Sequence, residues 1–236
     1  MTIHMFTYLS LNLLTIFVPL IRSFEPRIRY FHKWPYLLVA IILTGAFFIV
    51  WDVYFTKWGV WSFNHDYVIG TFFLGLPIEE WLFFLTVPFA CVFIYEVLKY
   101  FIQKDWLGAY ARPFSILLAI ILLIVAFLSF DKLYTCLAFS LTAGLLLLHA
   151  FVLKVRYLGY FYLAYLISLI PFVLVNGVLT AWPVVSYNNA ENLGIRLGSI
   201  PLEDTMYCLL LLLMNITIYE FLLERFFYPK YEQQNQ

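Results

Sequence analysis

Two short motifs carry the residue types and spacing of acid–base chemistry. Pro77-Ile78-Glu79-Glu80 and Pro201-Leu202-Glu203-Asp204 each set two adjacent carboxyl groups at the start of a strongly apolar segment. A carboxyl group inside a membrane is costly, so each is a functional hypothesis by default. A pair in a water-poor setting can hold one proton and accept another, as an acid–base catalyst or a proton-coupled transporter requires. The plainer reading is helix-start chemistry, in which proline at the first turn is followed by acids that suit the helix dipole. Two copies at one offset, each with polar company, weigh against it. Asp52 and Asn64 accompany the first pair, and Asn176 and Asn188 hold the matching places near the second. Trp51, Trp58, Trp61 and Trp81 surround the first cluster, as walls of a substrate pocket or as part of an interfacial aromatic belt.

The elements that position these groups follow from composition. The chain of 236 residues is 64% hydrophobic and 12% charged, with mean hydropathy +0.89. Soluble domains carry about 25% charged residues, so a soluble globular domain is excluded, as are a disordered chain and a disulfide-stapled module. Fourteen basic residues balance fourteen acidic ones, which leaves no electrostatic footprint for nucleic acid. The pattern predicts an all-α integral membrane protein with seven transmembrane helices at 5–21, 35–55, 76–99, 114–130, 133–153, 158–180 and 200–223. The first is read as a retained helix rather than a signal peptide. The two long connections, 56–75 and 181–199, read as structured loops, and the apolar stretch 67–76 is too short to span.

Eleven of the basic residues follow helices 1, 3, 5 and 7: Arg22, Arg27, Arg29, Lys33, Lys99, Lys104, Arg112, Lys154, Arg156, Arg225 and Lys230. Lys57, Lys132 and Arg196 fall on the other side. The positive-inside rule therefore expects a multi-pass protein of the cytoplasmic membrane with its N-terminus outside and its C-terminus in the cytoplasm.

The chain is also internally duplicated. A gapless shift of 124 residues aligns 36–98 with 160–222 and gives sixteen identities over 63 positions. They include Trp58/Trp182, Ser62/Ser186, Asn64/Asn188, Gly70/Gly194, Pro77/Pro201, Glu79/Glu203, Tyr95/Tyr219 and Glu96/Glu220. The reading is a 3+1+3 fold: a three-helix repeat over 1–112, a linking helix over 113–130 and a second three-helix repeat over 131–236. An odd linker makes the repeats parallel, related by an axis along the membrane normal, with the working site expected where they face each other. Glu96 and Glu220 lie seventeen residues beyond Glu79 and Glu203, about 25 Å along a helix, and are read as structural. Pro88 is expected to kink helix 3, and Asn215 and Thr217 to bond between helices. Cys91, Cys136 and Cys208, with His4, His32, His65 and His149, form no metal-ligand spacing, and no glycine-rich nucleotide turn is present. Neither metal nor cofactor is expected.

A hydrophobic three-helix unit whose last helix opens with P-x-E-(E/D), present twice, resembles the membrane-integral lycopene cyclases of bacteria, archaea and fungi, in the fused form with two subunit-like halves joined by an extra helix. The resemblance covers about 1–225. It implies conversion of the acyclic ψ-ends of lycopene, dissolved in the bilayer, into rings, of the β type as the first expectation. It also implies that Glu79, Glu80, Glu203 and Asp204 are catalytic. The chemistry fits these residues: a proton is added to a terminal double bond, the neighbouring alkene attacks the cation, and another proton leaves. The halves differ at Glu80 against Asp204 and at Asp52 against Asn176, so two equivalent active sites are not expected. Two rivals remain. One is a small 3+1+3 transporter with paired carboxylates, against which few hydroxyl or amide groups stand ready to line a polar path. The other is a different carotenoid-modifying membrane enzyme. A prenyltransferase is disfavoured, because no D-x-x-x-D or D-D-x-x-D pattern is present to hold magnesium on a diphosphate.

Overall fold

The computed structural model describes residues 3–229. Among the described residues, seven helices are long and apolar enough to cross a membrane: His4–Arg22, Tyr30–Lys57, Ile78–Phe101, Gly108–Leu128, Leu133–Leu153, Leu158–Ala181 and Leu202–Phe227. Their α-helical parts are α1 (Thr7–Arg22), α2 (Trp34–Lys57), α3 (Ile78–Phe101), α4 (Gly108–Leu128), α5 (Leu133–Leu148), α6 (Leu158–Ala181) and α7 (Leu202–Leu222). π turns at His149–Leu153 and Leu223–Phe227 extend α5 and α7. The spans match the hydropathy reading within a few residues. α4 begins earlier than read because Pro113 sits in its second turn rather than at its start. Lys230, one of the eleven basic residues, lies outside the described residues.

α2, α3, α6 and α7 form the centre. α2 packs on α7 and α3, and α3 packs on α6. α1 lies against α3, α5 lies against α7, and α4 covers α5 and α6. The loops after α2 and α6 add six short strands: β1 (Trp61–Phe63), β2 (Phe72–Phe73), β3 (Leu76–Pro77), β4 (Val185–Tyr187), β5 (Arg196–Leu197) and β6 (Ile200–Pro201). The stretch 67–76 thus leads into the β2–β3 hairpin.

The register of the loops exposes the symmetry. β1 pairs antiparallel with β4, and Ser62 lies opposite Ser186, its own counterpart at the 124-residue offset. A local two-fold axis therefore passes through this pair. The Asn64 amide donates to Val184 O and the Asn188 amide donates to Val60 O, both reproducing the same operation. It holds at the far end of the bundle too. Tyr95 donates to Glu220 at 2.5 Å and Tyr219 donates to Glu96 at 3.0 Å. Lys99 pairs with Glu220 and Lys33 with Glu96. Each buried carboxylate is thus held by a phenol from the other half and by a lysine, which satisfies the charge that burial would otherwise penalise. The structural reading of Glu96 and Glu220 holds, with the addition that they tie α3 to α7.

Two expectations about inner polar groups part company. Thr217 donates to Leu213 O and bonds His149 Nε2 at 2.8 Å, an interhelical contact as read. Asn215 is fully buried, yet its side-chain amide finds no partner among the described residues. α3 continues through Pro88 as one assigned helix from Ile78 to Phe101.

The charge pattern yields the first prediction. A topology reporter inserted at 102–106 is expected in the cytoplasm and one at 188–192 outside. The reverse pattern would overturn the proposed orientation while leaving the helix count intact.

Candidate active site

The acid motifs sit at a sharp change of backbone. Pro77 and Pro201 are extended, with ψ near 149° and 141°, and each ends a strand before the helix starts at the next residue. A fixed φ and no N–H make proline suited to that junction. The preceding loops return to the helix starts through left-handed Gly70 (φ 87°) and Gly194 (φ 73°), a conformation that favours glycine. The first acid of each motif then closes its own loop. Glu79 accepts the Ile69 N–H at 2.7 Å, and Glu203 accepts the Leu193 N–H at 2.7 Å. Glu203 also accepts the Thr135 hydroxyl at 2.6 Å, and Asn12 donates to the Glu79 carbonyl at 3.0 Å. Both carboxylates are 0% exposed.

The second acid of each motif faces elsewhere. Glu80 and Asp204 line a cavity of about 660 Å³, together with Asp52 from the outer part of α2. Four tyrosines satisfy them. Tyr8 donates to Glu80 at 2.6 Å, and Tyr207 donates to Asp52 at 2.7 Å. Asp204 receives Tyr134 at 2.7 Å on one oxygen and Tyr187 at 2.8 Å on the other. Asp52 and Glu80 line the same polar end of the cavity. Tyr187 lies in the loop outside the spans; burial and the neighbouring Asp204 push its phenol well above the ordinary range, which keeps it a donor.

Beyond this polar end the cavity is apolar. Its body runs between α1, α3 and α6, past Leu11, Val87, Cys91, Phe172, Val175 and Leu179. Lining residues Leu14, Val18 and Leu174 are 70%, 59% and 67% exposed on the outer surface of the bundle. The cavity therefore opens sideways between α1 and α6, where a membrane protein meets lipid. Along α3 it reaches from Glu80 to Ile94, fourteen residues, about 21 Å of helix.

The structure sorts the sequence-derived candidates. It brings together Asp52, Glu80, Asp204, Asn176 and Trp61 around one cavity. Glu79 and Glu203 stand beside it but hold loops. Asn64 and Asn188 are turn residues whose side chains accept the N–H groups of Asp66 and Ala190, so their repetition reflects loop geometry. Trp51 is buried in a ring cluster with Phe48 and Tyr207, outside the cavity lining. Trp58 is 58% exposed, and Trp81 donates to Phe73 O at the rim. The four tyrosines escaped the sequence reading. Tyr8 and Tyr134 begin the first helix of each repeat at an offset of 126 rather than 124, upstream of the gapless alignment.

Comparison with known proteins agrees with this geometry. The chain matches the family described as lycopene cyclase over residues 5–98 and 131–222, two blocks that carry the two motifs. The chain belongs to the lycopene cyclase family. A 58-residue stretch is 34% identical to a bifunctional lycopene cyclase/phytoene synthase of Neurospora crassa, covering 25% of this chain and 9% of that protein. No solved structure matches the chain.

Within this cyclase-family chain the motif divides in two, a loop-holding first acid and a cavity-facing second acid. Glu79→Ala and Glu203→Ala are expected to raise amide exchange at Ile69 and Leu193 at least tenfold, since a hydrogen bond to a charged group is worth about 1.5–3 kcal/mol. Glu79→Gln, which keeps an acceptor oxygen, is expected to lose less. Unchanged protection at both amides would remove the loop-holding role.

Proposed function

We propose that this protein is a lycopene β-cyclase that takes a ψ-end of the polyene from the bilayer and closes it by acid–base catalysis. The observation that carries the reading is one cavity, apolar along its length and open towards lipid, that ends at Asp52, Glu80 and Asp204. A polyene end has no polar group to bind. Its recognition rests on apolar contact over a long channel, with charge needed only where a cation develops. A sugar path would need hydroxyl and amide groups along its walls, and below the acids this cavity offers only Thr15, Ser168 and Asn176.

In this reading Glu80, with Asp52 beside it at the polar end of the cavity, delivers the proton to the terminal double bond. Delivery gives a tertiary cation, and the neighbouring alkene attacks it to form the ring bond. The second cation then loses a proton to a carboxylate. Asp204 suits that step by position, since it lines the same end of the cavity and both of its oxygens are held by phenolic O–H groups. One proton enters and one leaves, so substrate and product are isomers and no electron donor is required by the balance. Trp61, Phe63 and Phe83 line the same end and present aromatic faces that stabilise a cation without bonding to it. Which carbon is deprotonated sets the ring type, and a β-ring requires loss from the carbon that leaves the double bond conjugated with the chain.

In a lycopene-accumulating bacterium the protein is expected to yield β-ring carotenes, identified by pigment chromatography. Glu80→Gln, Asp52→Asn and Asp204→Asn are each expected to lower the rate by about 10²–10⁴-fold, the usual contribution of a positioned acid or base. In deuterated water one deuterium should enter each ring at the protonated carbon. Unchanged lycopene from well-expressed protein, full activity in all three variants, or rings without solvent deuterium would each overturn the reading. Rings with the double bond out of conjugation would correct the β assignment alone.

A further inference from the structure

The cavity obeys the two-fold axis at its polar end and breaks it along its body. Both members of the pairs Asp52/Asn176, Trp61/Val185, Phe63/Tyr187, Glu80/Asp204 and Phe83/Tyr207 line it. The apolar body, however, runs between α1, α3 and α6, with Cys208 and Leu211 of α7 also lining it. The same operation applied to that body generates a twin space between α5, α7 and α2. Four of the lining positions carry larger residues there. Val175 becomes Trp51, Leu179 becomes Phe55, Cys208 becomes Phe84 and Pro171 becomes Phe47.

These rings fill the twin. Trp51 stacks on Phe48 with centroids 5.8 Å apart and planes at 4°. Phe55 meets Trp51 at 5.3 Å, and Phe48 meets Phe84 at 6.0 Å. Tyr207 closes the top of the cluster, 4.8 Å from Phe48 and 5.4 Å from Trp51. Phe48, Phe55 and Phe84 are each at most 2% exposed. The interior of the twin is thus taken up by packed rings.

We infer that the duplicated frame holds one working pocket and one sealed twin, so that a two-ended polyene is cyclised at one end per binding event and must leave and return reversed for the other end. The inference rests on the cyclase reading for its substrate, but the count of pockets does not. In each event one proton is added at the polyene end and one is returned to the acid set, so the site is restored before the second end arrives.

Binding and turnover separate the two questions. Lycopene titrated into the detergent-solubilised protein, read by its visible absorption, is expected to saturate at one molecule per chain. Val175→Trp, which copies the sealed side onto the open one, is expected to abolish that binding and to lower formation of the first and the second ring together by at least a hundredfold. Its membrane yield and the amide protection of Ile69 and Leu193 report whether it folds. With wild-type protein in liposomes, labelled lycopene is started and a large excess of unlabelled lycopene is added early. Label is expected to stay in the monocyclic product, with labelled bicyclic product reduced at least tenfold. Two molecules bound per chain, first-ring activity retained in a folded Val175→Trp, or labelled bicyclic product undiminished by the chase would overturn the inference. Binding at one per chain without any cyclisation would instead overturn the cyclase reading and leave the single pocket standing.

Discussion

Nine-tenths or more of every carboxyl group in the two motifs is buried in a structure surrounded by lipid, and that constraint organises the molecule. An acid oxygen that water does not solvate is stabilised by a donor inside the fold; among the described residues Glu79 Oε1 and Glu203 Oε1 have one, while Glu79 Oε2 and Glu203 Oε2 have none. Glu79 and Glu203 find backbone amides ten residues upstream, which folds each long loop back onto its helix start. Glu80, Asp52 and Asp204 find phenols from α1, α5, α7 and the second loop. Satisfying the acids therefore decides where the loops lie and which helices meet. The same logic at the other end of the bundle ties α3 to α7 through Glu96 and Glu220. Two polar layers, each made of acids and tyrosines, clamp a largely apolar middle with scattered bonds such as Thr86 to Asn12 and Tyr30 to the Phe89 carbonyl.

The helices were legible in the sequence because hydropathy over about twenty residues is a strong signal and the bilayer sets the length. The duplication was legible because polar residues such as Ser62, Asn64 and Gly70 repeat at one offset where composition alone cannot place them. Function within the motif was harder to read. Successive helical residues point about 100° apart, so adjacent acids cannot share one task, yet a linear motif presents Glu79 and Glu80 as a unit. Their separation depends on where the helix begins, and the extended Pro77 sets that. The asparagines taught the opposite lesson. Asn64 and Asn188 repeat faithfully because an identical turn needs them, so repetition marked geometry rather than chemistry. The tyrosines were invisible for a third reason: eighteen of them are spread through the chain, and only packing selects the four that reach a carboxylate.

Asymmetry is the counterpart of the clamp. A perfect two-fold would place two identical acid sets beside the axis and two equal channels leading away. The chain keeps the frame, as the reciprocal bonds of β1 with β4 and of Tyr95 with Tyr219 show. It departs from the frame at the positions that face the cavity: Asp52 against Asn176, Glu80 against Asp204, Tyr207 against Phe83, Trp51 against Val175.

These departures have a common physical sense. Acid–base work on one substrate end needs a group that holds a proton and a group that accepts one, and identical environments cannot provide both. At the axis the two halves meet closely enough for Tyr207 of the second half to donate to Asp52 of the first, while Asp204 is turned to Tyr134 and Tyr187 of its own half. With Asn176 in the place of a second aspartate, the pocket holds three carboxyl groups rather than four in a crowded, water-poor space, where like charges repel strongly. An amide there still lines the cavity. On the proposed reading, a second channel would deliver polyene to the wrong face of the same acids. Rings packed into the twin space add buried apolar contact to the α2–α7 interface, so the packing that would close a second channel also helps to hold the halves together.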